Sequence, residues 1–283
     1  MNELIDLYHR HIDGWYPCKR TRANLRAALR SLPACITDST LDALRPAEVR
    51  TWLLTQTRQH TRQTANYRLQ VFKQMLTWSI EQELTPPEAS ASLRLIRPIP
   101  AERGGSREQQ RKLPVTWDTV TTTMQHCRPD VADMLEVMWH TGARPQEICD
   151  MQRSEITEAE DGTTAVYQPT RHKTSYRQRP RIILLGPAAW ACLRHRWQRT
   201  PGSFLWGIRT TNGLQITLNR IFRRHNLPHW TIGQIRHSAA TRFASQAGVE
   251  TARILLGHAS VKTTEIYAEP DMTRACQAIT QLG

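Results

Sequence analysis

Five residues in this 283-residue chain, two arginines, a lysine, a histidine and a tyrosine, are of types that chemistry at phosphorus can use. Arg144 stands in Thr141-Gly142-Ala143-Arg144-Pro145-Gln146-Glu147-Ile148, and Arg236 in Ile235-Arg236-His237-Ser238. Lys173 sits in a basic run, and His258 and Tyr267 lie nine positions apart in the segment that begins at Gly257. A phenolic hydroxyl is a weak nucleophile unless its surroundings activate it. Two guanidinium forks, always charged and able to grip oxygens bidentately, suit the negative charge that grows on the non-bridging oxygens of a pentacoordinate phosphorus. Taken singly, each residue has a plainer reading: a packing tyrosine, a capping histidine, a surface arginine.

The elements that must position them follow from local pattern. A helix over Val131 to Trp139 stops at Thr141-Gly142, where glycine is the common C-terminal residue. Arg144 precedes Pro145, which disfavours helical geometry for the arginine and favours the proline as first residue of the next helix. Arg144 is therefore expected at a helix entrance, where backbone N–H groups favour a phosphate. Glu147, in that first turn, can hold the arginine or a neighbouring histidine. Arg236 falls near the start of a helix over Gly233 to Ala247, closed by Gly248, with Ile235, Ala239, Ala240 and Phe243 facing inward. Thr164 to Gln168 and Arg181 to Leu185 read as a β-hairpin flanking the basic loop that carries Lys173; alone, such a loop is an ordinary solvated turn. Two further helices are expected, from Gly186-Pro187 through Trp197 and from Ile216 to His225.

Together these segments resemble the tyrosine recombinase family, the phage-type integrases, from about Leu113 to Tyr267, in order and in spacing. The resemblance implies a mainly α protein: an N-terminal four-helix core-binding domain, then a mixed, mostly helical catalytic domain with a small β-sheet or hairpin. It implies that Tyr267 attacks a DNA phosphodiester, that Arg144 and Arg236 hold the non-bridging oxygens, that His258 adds a further donor, and that Lys173 protonates the departing 5′ oxygen. Glu147 supports the arginines. The expected product is a 3′-phosphotyrosyl linkage and a free 5′ hydroxyl, with no cofactor and no metal. The partners implied are double-stranded DNA and further copies of the chain, as a tetramer on paired sites.

One position departs from the family pattern. The second arginine usually follows a histidine by three residues, and here that place is Gly233. Glycine can act neither as acid nor as phosphate donor, which bears on rate and proton handling more than on reaction type. His229 or His237 could substitute, although helical phase favours neither. A recombinase-derived DNA-binding factor without cleavage is therefore kept as the alternative, with a type IB topoisomerase as a weaker third.

Composition agrees with a polyanionic partner. There are 38 Lys and Arg against 25 Asp and Glu, a net charge of +13, and such an excess draws phosphates and drives binding by counterion release. The length suits two cores. Residues 1–94 are expected as the helical DNA-binding domain. Its apolar faces are Leu4, Leu7, Tyr8 and Ile12; Leu25, Ala28, Leu29 and Leu32; Val49, Trp52 and Leu53; and Val71, Phe72, Met75, Leu76 and Ile80. Residues 95–112, rich in Pro, Gly and charge, are expected as a basic linker, and 113–283 as the catalytic domain. Within that domain, 271–283 is expected as a tail helix, whose stripe of Met272, Ala275, Ile279 and Leu282 must dock on its own domain or on a neighbouring protomer. No additional arm-binding domain is expected at the N-terminus.

Six cysteines show no zinc spacing and read as reduced thiols. The first residues lack the basic start of a signal peptide, and no 18-residue apolar run occurs. A cytoplasmic location without membrane insertion is expected.

Overall fold

The computed structural model describes residues 1–103, 105, 107, 108, 113–170, 181–199 and 203–257. The expected lysine, histidine and tyrosine at 173, 258 and 267, and the tail helix, lie outside them. The chain divides into two compact units, Met1–Arg111 and Lys112–Gly283.

The first unit is helical. Its main helices are α1 (Asn2–Trp15), α2 (Lys19–Leu29), α4 (Pro46–Gln59) and α5 (Arg62–Glu81), with the short α3 (Ala34–Thr37) and α6 (Pro87–Arg94) between and after them. The apolar faces read from the sequence converge on one core of Tyr8, Ile12, Leu25, Leu29, Leu53, Phe72, Met75 and Leu76. Two positions differ from expectation: Leu7 and Ile80 are only half-buried, while Ile5 and Ser79 are buried. Ser79 is tolerated there because its hydroxyl bonds the Leu76 carbonyl at 2.9 Å and the Thr85 hydroxyl at 2.7 Å. Pro46 opens α4, and the Glu48 carboxylate accepts from the Arg45 amide at 2.9 Å. Pro87 opens α6, a helix the periodicity did not reveal.

The segment expected as a basic linker is held, in its described part, by the first unit. Ile96 and Ile99 are buried in the helical core. Asn66 clamps the backbone at Ile99 from both sides, donating to its carbonyl at 2.9 Å and accepting from its amide at 2.8 Å. Arg50 bonds the Arg97 carbonyl at 2.8 Å, and Arg62 pairs with Glu108. Two isoleucines three apart in a Pro-rich run give no periodicity to read. Amide clamps are invisible in composition.

The second unit comprises α7 (Trp117–Met124), α8 (Pro129–Thr141), α9 (Pro145–Cys149), β1 (Ile156–Glu158), β2 (Ala165–Tyr167), β3 (Ile183–Leu185), α10 (Pro187–Arg199), α11 (Thr211–Arg224), α12 (Gly233–Ala247) and α13 (Val249–Leu256). The expected hairpin is β2 against β3, antiparallel, with Val166 opposite Leu184. Strand β1 adds to its edge, giving the order β1-β2-β3. The core joins Met134, Leu135 and Met138 of α8 to Trp190 and Leu193 of α10, Leu218 and Phe222 of α11, and Ile235 of α12. On α12, Ala239 and Ala240 are fully buried, and small side chains there let α8 and α13 approach closely. Phe243, expected inward, is half-buried; Ala244 takes the buried place. Among the described residues no helix is long and apolar enough to cross a membrane.

Gly142 ends α8 in the left-handed region, φ 63°, and its amide bonds the Met138 carbonyl at 2.9 Å. A Cβ there would stand 2.7 Å from Leu256 Cδ2 and 3.1 Å from the Ala239 Cβ. Gly142→Ala therefore meets backbone strain and overpacking together and is expected to cost about 2–3 kcal/mol. Gly233→Ala, where an added Cβ meets nothing within 4 Å, serves as control. Denaturant unfolding of both variants checks this: equal midpoints would refute the crowding at Gly142.

Candidate active site

Arg144 occupies the N-cap of α9 with extended backbone, φ −68° and ψ 141°, as the following proline requires. Its guanidinium is half-buried. Glu147, one turn on, is 3% exposed and holds the arginine twice: Oε2 accepts from the Arg144 amide at 2.8 Å, and Oε1 accepts from Nη1 at 2.8 Å. The Tyr167 hydroxyl donates to the Glu147 carbonyl at 2.7 Å, pinning α9 to β2. The helix entrance expected for Arg144, and the restraint expected from Glu147, are both found.

Arg236 lies in the first turn of α12, as the sequence indicated. Its Nη1 donates to the Gly142 carbonyl at 2.8 Å and its Nη2 to the Leu256 carbonyl at 2.7 Å. The first carbonyl ends α8, two residues before Arg144. The second ends α13, two residues before His258 in the sequence. Helix C-termini leave carbonyls without intrahelical donors, and here an arginine takes one from each of two helices. Arg144 and Arg236 are thereby brought to the same turn of the chain. A guanidinium has five N–H donors, so two carbonyl bonds are compatible with a role toward phosphate oxygens.

Arg181 is a third cation at this place, and sequence reasoning missed it. Its side chain is 5% exposed, its Nε stands 3.5 Å from Glu147 Oε1, and its Nη1 donates to the carbonyls of Ile182 at 3.0 Å and Leu255 at 3.3 Å. Gly257, φ 62°, ends α13 directly against it; a Cβ there would come within 2.9 Å of the Arg181 Cζ. In the sequence Arg181 passed as the first residue of a strand after a basic loop. The usable signal was a charge attached to the apolar run Ile182-Ile183-Leu184-Leu185.

Two guanidiniums, Arg144 and Arg181, thus face one carboxylate, and the third, Arg236, is held at the Gly142 carbonyl two residues before Arg144, an excess of two positive charges among the named groups. Burial alone would raise the Glu147 carboxyl, but Arg181, the Arg144 amide and the Arg144 guanidinium outweigh it, and the group rests below its ordinary value of 4.5. Burial lowers Arg181 in the opposite sense, with Arg144 adding to the effect and Glu147 opposing it. A cluster so charged, with its forks fixed before any ligand arrives, is suited to a doubly or triply anionic oxygen array.

Of the residues considered as substitutes for Gly233, His229 packs edge-on against Phe222 at 5.6 Å and so serves the α11 core. Among the described residues no group of three or more His, Cys, Asp or Glu could hold a metal ion.

The chain is similar to known proteins in sequence and in fold. Residues 115–274 match the group described as the Phage integrase family. The chain is 24% identical over 276 residues to the tyrosine recombinase XerC of Corynebacterium efficiens, covering 90% of this chain and 83% of that protein. Its fold is similar to that of residues 75–356 of lambda integrase, solved as a dimer bound to a COC′ core site, with TM-score 0.72, 15% identity and 96% of each chain covered. A lambda integrase tetramer bound to a Holliday junction gives TM-score 0.67 at 16% identity, over 94% of this chain and 76% of that one.

The depressed carboxyl of Glu147 has a pH signature. Its contribution to stability is complete above the unfolded value near 4.5 and is lost as pH falls from there through the lower folded value. Glu147→Gln leaves one buried and one half-buried guanidinium without their anion and is expected to cost about 3 kcal/mol at neutral pH. Below pH 4.5 the gap between variant and native protein should narrow as the native carboxylate takes up its proton. Unfolding curves at neutral and acid pH measure it, and a gap that is the same at both would contradict the ionised state of Glu147.

Proposed function

The chain belongs to the phage integrase family, and we propose that it is a site-specific tyrosine recombinase that cleaves and rejoins duplex DNA through a 3′-phosphotyrosyl intermediate. The Tyr267 oxygen attacks the scissile phosphorus, and the bond to the 5′ oxygen breaks. Arg144 and Arg236 bind the non-bridging oxygens, where charge grows most in the transition state. His258 adds a donor, and Lys173 supplies the proton to the departing 5′ oxygen. One phosphoester replaces another of similar energy, so the bond is conserved in the enzyme and can be resealed onto a different strand. Neither metal nor nucleotide is required by that balance.

The observation that carries this reading is the pair of arginines set at one turn, Arg144 by Glu147 and Arg236 by the Gly142 and Leu256 carbonyls. A protein that only bound DNA would need basic groups on its surface. It would have no use for one guanidinium fixed against two helix ends and another against a buried carboxylate. Exchange of strands needs paired sites, and the proposed assembly is a tetramer of this chain on two duplexes, acting in the cytoplasm on DNA there. The second reading, a recombinase-derived factor that binds without cutting, draws support from Gly233 alone. That residue opens α12 three positions before Arg236, and a Cβ on it would meet nothing within 4 Å, so a side chain can be introduced there without a clash at its first carbon.

Incubation with a nicked suicide duplex carrying the protein's site, followed by denaturing electrophoresis, separates the two. The native protein is expected to give a covalent adduct, and Tyr267→Phe to give none while still shifting the duplex in a native gel. Gly233→His is expected to hold or raise the adduct yield. Adduct from the Phe variant would place the nucleophile elsewhere; a native protein without adduct, rescued by Gly233→His, would favour the binding factor.

A further inference from the structure

Among the described residues of the second unit, Arg181 is the one arginine that is buried. Its side chain is about as buried as that of Leu25 in the helical core, yet among the described residues its Nη2 has no hydrogen-bond partner and its Nε has only the 3.5 Å ion pair with Glu147. A buried cation with unsatisfied donors is costly and is retained only where its position serves something. The groups it reaches are telling. On one side is Glu147, whose carboxylate sets both the backbone and the guanidinium of Arg144. On the other is the Leu255 carbonyl, in the last turn of α13, directly ahead of Gly257 and the segment that continues to His258. Gly257 lacks the side chain that would displace the guanidinium, so the left-handed end of α13 and the arginine fit each other.

We propose that Arg181 is a positioning residue for strand cleavage: it spans Glu147 and the Leu255 carbonyl, and so fixes Arg144 relative to the end of α13 from which the chain runs on to His258 and Tyr267. The inference rests on the proposed recombinase activity. Arg181 acts through its neighbours, since its burial keeps it from the substrate. Lysine in its place keeps the charge but offers a single point donor, and cannot bridge a carboxylate and a carbonyl as a planar fork does. Without the bridge the two sides of the site drift independently, and misplacement by about an ångström is enough to slow a reaction about 100-fold.

The test compares native protein, Arg181→Lys and, as a second variant that keeps the arginine but crowds it, Gly257→Ala. Three quantities are read on each: affinity for a single half-site duplex, the rate of adduct formation on the nicked suicide duplex at saturating protein, and native-state amide exchange at Arg144 and in the last turn of α13. Both variants are expected to bind the half-site as the native protein does, and to form adduct about 10–100-fold more slowly. Exchange is expected to quicken at both places at once. A folded Arg181→Lys that cleaves at the native rate, or exchange that quickens at only one of the two places, overturns the inference. Absence of adduct from native protein would instead overturn the recombinase reading, and exchange would then decide alone whether Arg181 couples the two sides.

Discussion

A single buried carboxylate organises the second unit around its chemistry. Glu147 accepts the Arg144 amide and guanidinium, and pairs with Arg181, while its own carbonyl receives the Tyr167 hydroxyl. Each contact fixes a different element: the helix entrance at α9, the approach to β3, and β2. Desolvation alone would raise its carboxyl, and the cations beside it hold it below its ordinary value, while their positions depend on it. Removing Glu147 leaves Arg181 buried without its anion, and removing either arginine leaves the carboxylate with one cation fewer, which is why the cluster acts as a unit.

The remaining positive charge is balanced by helix ends. The carbonyls of Gly142, Leu255 and Leu256 are the last acceptors of α8 and α13, and each receives an N–H from Arg236 or Arg181. Aligned carbonyls at a helix C-terminus carry partial negative charge, so they steady cations without neutralising them. The cluster can therefore exist before a phosphate arrives and still gain from its arrival. Both helices must stop sharply for this to work. Gly142 and Gly257 turn in the left-handed region to make them do so, and each lies against the neighbours that a side chain would push away.

Much of this was legible in the sequence where a local rule applies. Gly142 as helix end, Arg144 before Pro145, the hairpin about the basic loop and the span of α12 all follow from backbone preferences of Gly and Pro and from 3.6 or twofold periodicity. Arg181 was not legible, because its meaning comes from Glu147 and Leu255, 34 and 74 residues away in the chain. The same holds for residues 96–108: their Pro-rich composition reads as linker, while two buried isoleucines and the Asn66 clamp tie part of them to the helical unit. Long-range ion pairs and side-chain-to-backbone clamps leave no period in the chain. The excess charge of the whole protein pointed to a polyanion, but only the fold reveals which arginines are fixed in place.

The central claim is that Arg144 and Arg236 act by meeting charge that develops on the non-bridging oxygens. It is tested most directly by replacing the scissile phosphate with a neutral methylphosphonate and measuring adduct formation with native protein, Arg144→Ala and Arg236→Ala. With an ordinary phosphodiester each alanine variant should lose on the order of 3 kcal/mol of transition-state stabilisation. With the neutral linkage, where one oxygen charge is absent, most of that loss should vanish. Variants equally impaired on both substrates would contradict the account and assign the arginines to holding the fold.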